Sequence, residues 1–166
     1  MDAAIVGGTS LILTSHMHSV MASVGILSPE GSCKPFDATA DEFGRPEAIN
    51  AVFLKRFDDA VRDGNPIRAV IRASGTSANG RSSDGLLAPD TAAQADLIRK
   101  VYGSAGLDPA ETGYIECHGT GTTQGDRKET LAVADIFGSS GGIYMGSVSQ
   151  LLFFLFYFLR ILTPST

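Results

Sequence analysis

Apolar positions along the chain recur at two periods, near two and near 3.6 residues, and their alternation predicts strands separated by helices. Between Ala3 and Leu13 the apolar residues surround Gly7-Gly8, which predicts a buried strand broken by a close backbone approach. Met17, Val20, Met21 and Val24 fall at helical spacing before Gly25, and Ser28-Pro29-Glu30-Gly31 supplies a turn. Ile49 to Phe57 and Ile67 to Ala73 read as strands, with Asp58 to Pro66 between them as a helical turn closed by Gly64-Asn65-Pro66. A Gly/Ser/Asn-rich loop runs from Ser74 to Pro89. Thr91 with Gln94 then forms a capping-box pattern ahead of Leu97, Ile98, Val101, Tyr102 and Ala105. After Gly106-Leu107-Asp108-Pro109, the stretch Gly113 to Cys117 reads as a strand entering a glycine-rich turn. Asp126 with Glu129 is the expected cap of a second helix through Leu131, Ala134 and Phe137, and Ile143 to Met145 is a final strand. This order argues for an α/β domain with a largely covered sheet, and no internal repeat is visible.

The pattern breaks near the end. After Gly146-Ser147-Val148-Ser149-Gln150 comes Leu151 to Leu162, apolar on every face except Arg160 and unlike anything before it. A membrane-spanning helix needs about 20 mostly apolar residues, so this run is too short to span comfortably. The expected division is residues 1–148 as one domain and 149–166 as an anomalous hydrophobic tail. An intron donor GT-A-A-G-T read in frame translates as Val-Ser, so read-through at Val148-Ser149 is one origin for the break. A tail anchor is the other, and it predicts membrane pelleting.

Size and charge narrow the function. At 166 residues the chain suffices for one core. Thirteen basic against eighteen acidic side chains give a net charge of -5 with no basic stripe, which excludes an electrostatic footprint for nucleic acid. Cys33 and Cys117, far apart, make a disulfide framework improbable. Met1 to Val6 lacks the positive region of a secretory signal, so a cytoplasmic location is expected.

Chemistry concentrates where the strand ending at Cys117 meets the turn. Gly119 and Gly121 bring backbone close to whatever binds, and Thr120 and Thr122 present hydroxyls between them. A histidine at position 118 can donate a hydrogen bond to a developing oxyanion, while the hydroxyls can bond an extended substrate arm. Spacing leaves a second reading open, in which these are turn residues around a hydrogen-bonded core histidine. A phosphate loop is set aside: no Gly-Lys-Ser/Thr follows, and the glycines miss the dinucleotide spacing by one residue. Neighbours on a strand point to opposite faces, so Cys117 is expected to be a packed thiol rather than a partner of His118. No finger-like spacing joins His16, His18 and Cys33, and no metal is expected.

Glu116-Cys117-His118-Gly119-Thr120-Gly121-Thr122, with Gly125-Asp126 and Glu129 behind it, resembles the central motif of ketosynthase (beta-ketoacyl synthase) domains in polyketide and fatty-acid synthases. Ala4-Ile5-Val6-Gly7-Gly8, Leu27 to Gly31, Cys33 to Asp37, Val52 to Arg56 and Leu107-Asp108-Pro109 resemble family segments in family order. The resemblance covers Ala4 to about Val148. It implies an α/β, thiolase-like fold of layered αβαβα type, present only in part, with a mixed sheet and covering helices. It also implies a parent domain that performs decarboxylative condensation of acyl thioesters carried on phosphopantetheine by an acyl carrier protein, with no cofactor bound directly, and that pairs as a dimer. His118 matches the first family histidine, which assists decarboxylation or holds the thioester oxyanion; Thr120 and Thr122 match the contacts to the phosphopantetheine arm.

The family's nucleophilic cysteine stands in an Ala-Cys-Ser segment upstream of the matched region, and its second histidine in a Lys-Ser-Asn-Ile-Gly-His segment after Gly-Ser-Val. Neither occurs here, and groups that act as a unit lose most of their effect when one is removed. The expectation is a fragment inactive alone. The alternatives are an interaction piece docking on an intact synthase or a membrane-associated product. Two further departures are Arg45-Pro46-Glu47-Ala48, where the family has Arg-Gly-Glu-Gly, and Arg127, where it has proline. The first requires a rearranged loop if φ > 0 is needed there, and the second is expected to be mild at the first helical turn.

Overall fold

The computed structural model describes residues 2–78, 89–138 and 141–147. Most of the loop before Pro89 and the whole of 149–166 lie outside the described residues. In chain order the elements are β1 (Ala3–Ser10), α1 (Ser15–Ser23), β2 (Ala48–Lys55), α2 (Phe57–Arg62), α3 (Thr91–Ala105), a 3₁₀ turn (Pro109–Glu111), β3 (Tyr114–Glu116), α4 (Thr123–Phe137) and β4 (Tyr144–Gly146).

β1 and β2 pair antiparallel from Ala3 opposite Lys55 to Ser10 opposite Ala48. The strand runs through Gly7-Gly8 without a break. Gly7 does lie against the carbonyl of Asn50, whereas Gly8 faces open space. Period-two alternation puts Ile5, opposite Phe53, on one face with Ile49, opposite Thr9. The burial expected of β1 is absent at Ile5, which is 77% exposed, and Ile49 (74%) and Phe53 (63%) on the same face of the pair are open as well. A strand is buried only when a layer packs on its face, and among the described residues none does. α1 likewise buries no residue, with Met17 and Val20 turned to solvent.

Residues 67–78 form no strand, contrary to the alternation of Ile67, Ala69 and Ile71. Without a ladder to join, an extended segment has only its side-chain pattern, and Ile67, Val70 and Ile71 are exposed. α2 forms where expected, and Lys55 reaches Asp63 at 2.6 Å and Asn65 at 2.7 Å to close the following turn.

The core lies in the other half. α3 packs on α4, and β3 pairs parallel to β4, with Tyr114 opposite Tyr144 and Glu116 opposite Gly146. Tyr102, Ile115, Cys117, Val133 and Phe137 form its centre, bordered by Ile98, Leu107, Ile136, Ile143 and Met145. The rings of Tyr102 and Phe137 meet edge to face at 5.6 Å, and the Tyr102 hydroxyl pairs with Thr112 Oγ1 at 2.8 Å, so its polar end is satisfied inside the core. The cap of α3 lies one residue before the expected one: Asp90 Oδ1 accepts from the Ala93 amide at 2.9 Å, while Thr91 Oγ1 turns to the Lys128 carbonyl at 3.4 Å. Gly106, at φ 63°, ends the helix in the left-handed conformation. The sheet is therefore two separate pairs among the described residues, one covered and one open.

The halves meet through the loop before β2. Leu27 bridges Phe43, Ser28 donates to the Phe43 carbonyl at 3.0 Å, and Gly44 lies directly on the backbone of Gly31 and Ser32. Pro46 and Ala48 do not take positive φ, so the exchanged glycines impose no strain there; Phe36 (58°) and Glu42 (87°) are the non-glycine residues that do.

Candidate active-site turn

β3 aims the chain at the turn, and its parallel ladder continues one step further as the Cys117 amide donates to the Gly146 carbonyl at 2.8 Å. Alternation then separates the two neighbours. Cys117 enters the core, where burial first and the carboxylates of Glu129, Glu116 and Asp126 next push its thiol up to about 12. It stays a thiol at neutral pH and is no nucleophile. His118 faces outward. The residue is exposed overall, yet desolvation by the surrounding protein lowers its pKa against the opposing pull of Glu129 and Asp126. The lowered value favours a neutral imidazole at physiological pH, the form that donates one hydrogen bond without carrying charge.

Asp126 and Glu129 do not cap α4 as the local pattern predicts. The helix starts at Thr123 with Thr122 as its N-cap residue and no side-chain cap bond. Both carboxylates reach back to the turn. Glu129 accepts from the His118 amide at 2.7 Å through Oε1 and from the Gly119 amide at 3.0 Å through Oε2. Buried Asp126 accepts from Gly121 at 3.2 Å and from Phe36 at 2.8 Å, joining the turn to the loop before β2. Glu42 donates its amide to the Gly121 carbonyl at 3.1 Å. Its carboxyl is held above the usual range by burial and then by Asp126 and Asp41. Arg127 is the fifth residue of α4, beyond the first turn, and exposed.

Gly119 (φ 44°) and Gly121 (φ 80°) require glycine twice over. A methyl on Gly119 would meet Ser147 Cβ at 2.5 Å and the Phe36 ring at 3.1 Å; one on Gly121 would meet the Lys34 amide at 2.7 Å. Thr120 Oγ1 and Thr122 Oγ1, both half-buried, stand 3.5 Å apart, at the limit of a hydrogen bond. Thr122 also fixes glycine at 125, where a Cβ would collide with its hydroxyl. His118, Thr120 and Thr122 are thus brought to one turn, as the sequence suggests. His16 and His18 lie on exposed α1, and no cluster of three or more metal-ligating side chains occurs among the described residues.

Sequence reasoning missed Ser147, whose hydroxyl lies 3.0 Å from the carbonyls of both His118 and Gly119. No local signal marks it, because its partners are 28 and 29 residues away. The positive-φ clasp at Phe36 and Glu42 was also invisible, since neither residue type favours that conformation.

The fold that carries this turn recurs in solved ketosynthases of thiolase-like fold. The ketosynthase from module 6 of the bacillaene synthase of Bacillus subtilis superposes with a TM-score of 0.85 at 39% identity, covering 90% of this chain and 28% of that one. The oxazolomycin ketosynthase domain OzmH KS7 of Streptomyces albus gives 0.84 at 34%, covering 90% and 26%. The family pattern "Beta-ketoacyl synthase, N-terminal domain" matches residues 1–60, and "Beta-ketoacyl synthase, C-terminal domain" matches 68–152. The chain belongs to the beta-ketoacyl synthase family. Among full proteins it is similar to the highly reducing polyketide synthases VdtX of Byssochlamys spectabilis (54% over 148 residues) and sphB of Aspergillus fumigatus (50% over 147 residues). Those alignments span 89% and 88% of this chain but only 7% and 6% of the relatives. It is part of a ketosynthase domain of polyketide-synthase type.

Proposed function

We propose that residues 1–148 supply the histidine-bearing part of a ketosynthase whose complete domain joins acyl groups by decarboxylative condensation, and that residues 149–166 lie outside that unit. The observation that carries this reading is the His118 turn, braced by Glu129 on its amide side and flanked by two threonine hydroxyls. In the proposed role His118, neutral because of its partial burial, donates a hydrogen bond to the thioester oxygen as negative charge develops on the malonyl unit. Thr120 and Thr122 bond the amides of the phosphopantetheine arm presented by an acyl carrier protein. Carrier-bound substrates, the dimer partner and a cytoplasmic location are part of the same proposal. No helix among the described residues is long and apolar enough to cross a membrane.

Alone, the 166 residues should not condense. Their two cysteines offer no acyl acceptor at this turn: Cys117 is a buried thiol and Cys33 Sγ accepts from the Gly44 amide at 3.4 Å. The test grafts residues 1–147 in place of the matching segment of the bacillaene module 6 ketosynthase and assays condensation of carrier-bound substrates. The chimera should turn over and its His118→Ala variant should lose about 10²-fold or more in rate, the scale of losing an oxyanion donor. A folded, active chimera indifferent to His118→Ala would refute the assigned role.

A second reading, an interaction piece docking on an intact synthase, is favoured by the open face of Ile5, Ile49 and Phe53. Co-purification with a full synthase that is lost in Phe53→Asp would support it.

A further inference from the structure

We propose that Ser147 is a positioning residue for His118, acting as the shared proton donor that fixes the carbonyl side of the turn; this rests on the reading of His118 as the reacting histidine. In an extended chain successive carbonyls point to opposite sides. The left-handed φ of 44° at Gly119 brings the carbonyls of His118 and Gly119 round to within 3.0 Å of one atom, the Ser147 hydroxyl oxygen. Two converging carbonyls repel unless a donor stands between them, and a serine hydroxyl has one proton to share or alternate between both.

The amide edge of the same two residues is held by Glu129, at 2.7 and 3.0 Å. All four backbone polar groups of His118 and Gly119 are therefore engaged by two side chains from different elements, one on α4 and one following β4. A peptide pair gripped along one edge can still roll about it; gripped along both, it cannot. Since the imidazole hangs from this backbone, its aim depends on the hydroxyl as much as on the carboxylate. The fit is close: a Cβ on Gly119 would meet Ser147 Oγ at 2.9 Å.

Ser147→Thr and Ser147→Val have nearly the same shape and differ in the hydroxyl, and Ser147→Ala removes it with the least added bulk. The measurement follows the imidazole signals of His118 through a pH titration of the 166-residue chain by NMR. His16 and His18 on exposed α1 serve as internal references, and α3 and α4 amides report the fold. In Ala and Val variants the His118 midpoint should rise toward that of an ordinary imidazole as the ring gains solvent, with the His118 and Gly119 amide signals broadened or doubled. The Thr variant should keep the native titration, and α3 and α4 should be unchanged in all three. Identical Thr and Val titrations would overturn the proposal. So would loss of the α3 and α4 signals in Ala and Val, which would make Ser147 a support of the whole fold. An inactive chimera would count against the condensing function while leaving the titration result standing.

Discussion

The half built from β1, α1, β2 and α2 and the half built from α3, β3, α4 and β4 have comparable elements but opposite interiors. The second buries Tyr102, Ile115, Val133 and Phe137 together, with Phe137 only 1% exposed. The first has an eight-residue strand pair and a nine-residue helix, yet Ala60 is the sole buried apolar side chain in its elements. Both pair their strands through backbone ladders; only one acquired a layer to pack against. Pairing alone gives a ladder, and stability needs the second layer.

That contrast can be broken from its strong side first. Phe137→Ala should lose about 3–5 kcal/mol, the usual cost of emptying a buried aromatic site, and collapse the α3–α4 half in a denaturant titration. The tie between the halves comes next. Asp126→Ala leaves the amides of Phe36 and Gly121 without their acceptor and should lose about 1–3 kcal/mol, with faster hydrogen exchange at both amides. Asp90→Ala should cost about 1 kcal/mol through the lost cap, whereas Thr91→Ala and Gln94→Ala should cost less, which separates the observed cap from the expected one. On the weak side Phe53→Ser should change stability by no more than about 0.5 kcal/mol while lowering binding of a hydrophobic dye.

The smallest effect concerns pH. Folded His118 titrates below an unfolded imidazole, so the unfolded chain binds more protons as pH falls through the ordinary imidazole range near 6.5. Its contribution is intact above that range and is lost as pH falls through it toward the folded value. His118→Asn should therefore flatten the dependence of the unfolding midpoint on pH between about 7 and 5.

The sequence made the same contrast hard to see. Hydrophobic spacing located α3, β3, α4 and β4 well because their apolar faces are the ones that met each other. It located β1 and β2 equally well but read β1 as buried, since periodicity reports which face is apolar and not whether anything covers it. Ile67 to Ala73 failed for a related reason: alternation permits a strand, but a strand exists only with a neighbour. Asp126 and Glu129 looked like caps because a carboxylate three residues after a polar residue is a local pattern, whereas the amides they serve belong to a turn up to eleven residues upstream and to Phe36, 90 residues away. The turn that carries His118, Thr120 and Thr122 was legible because Gly119 and Gly121, set between them, announce a turn wherever they fall. Ser147 was not, because its bonds close only in three dimensions.

The contact of Gly44 with Gly31 bears on how far this loop can vary. A Cβ at 44 would sit 2.7 Å from the Gly31 carbonyl carbon and 3.2 Å from the Ser32 nitrogen, against backbone that cannot swing aside as a side chain can. Gly8, by contrast, has nothing within 4 Å of the same added atom. In a saturation library scored for retained fold, position 8 should accept small residues freely, while position 44 should return glycine almost alone, since even alanine there would wedge apart the two strands of loop that carry Phe36 to the histidine turn.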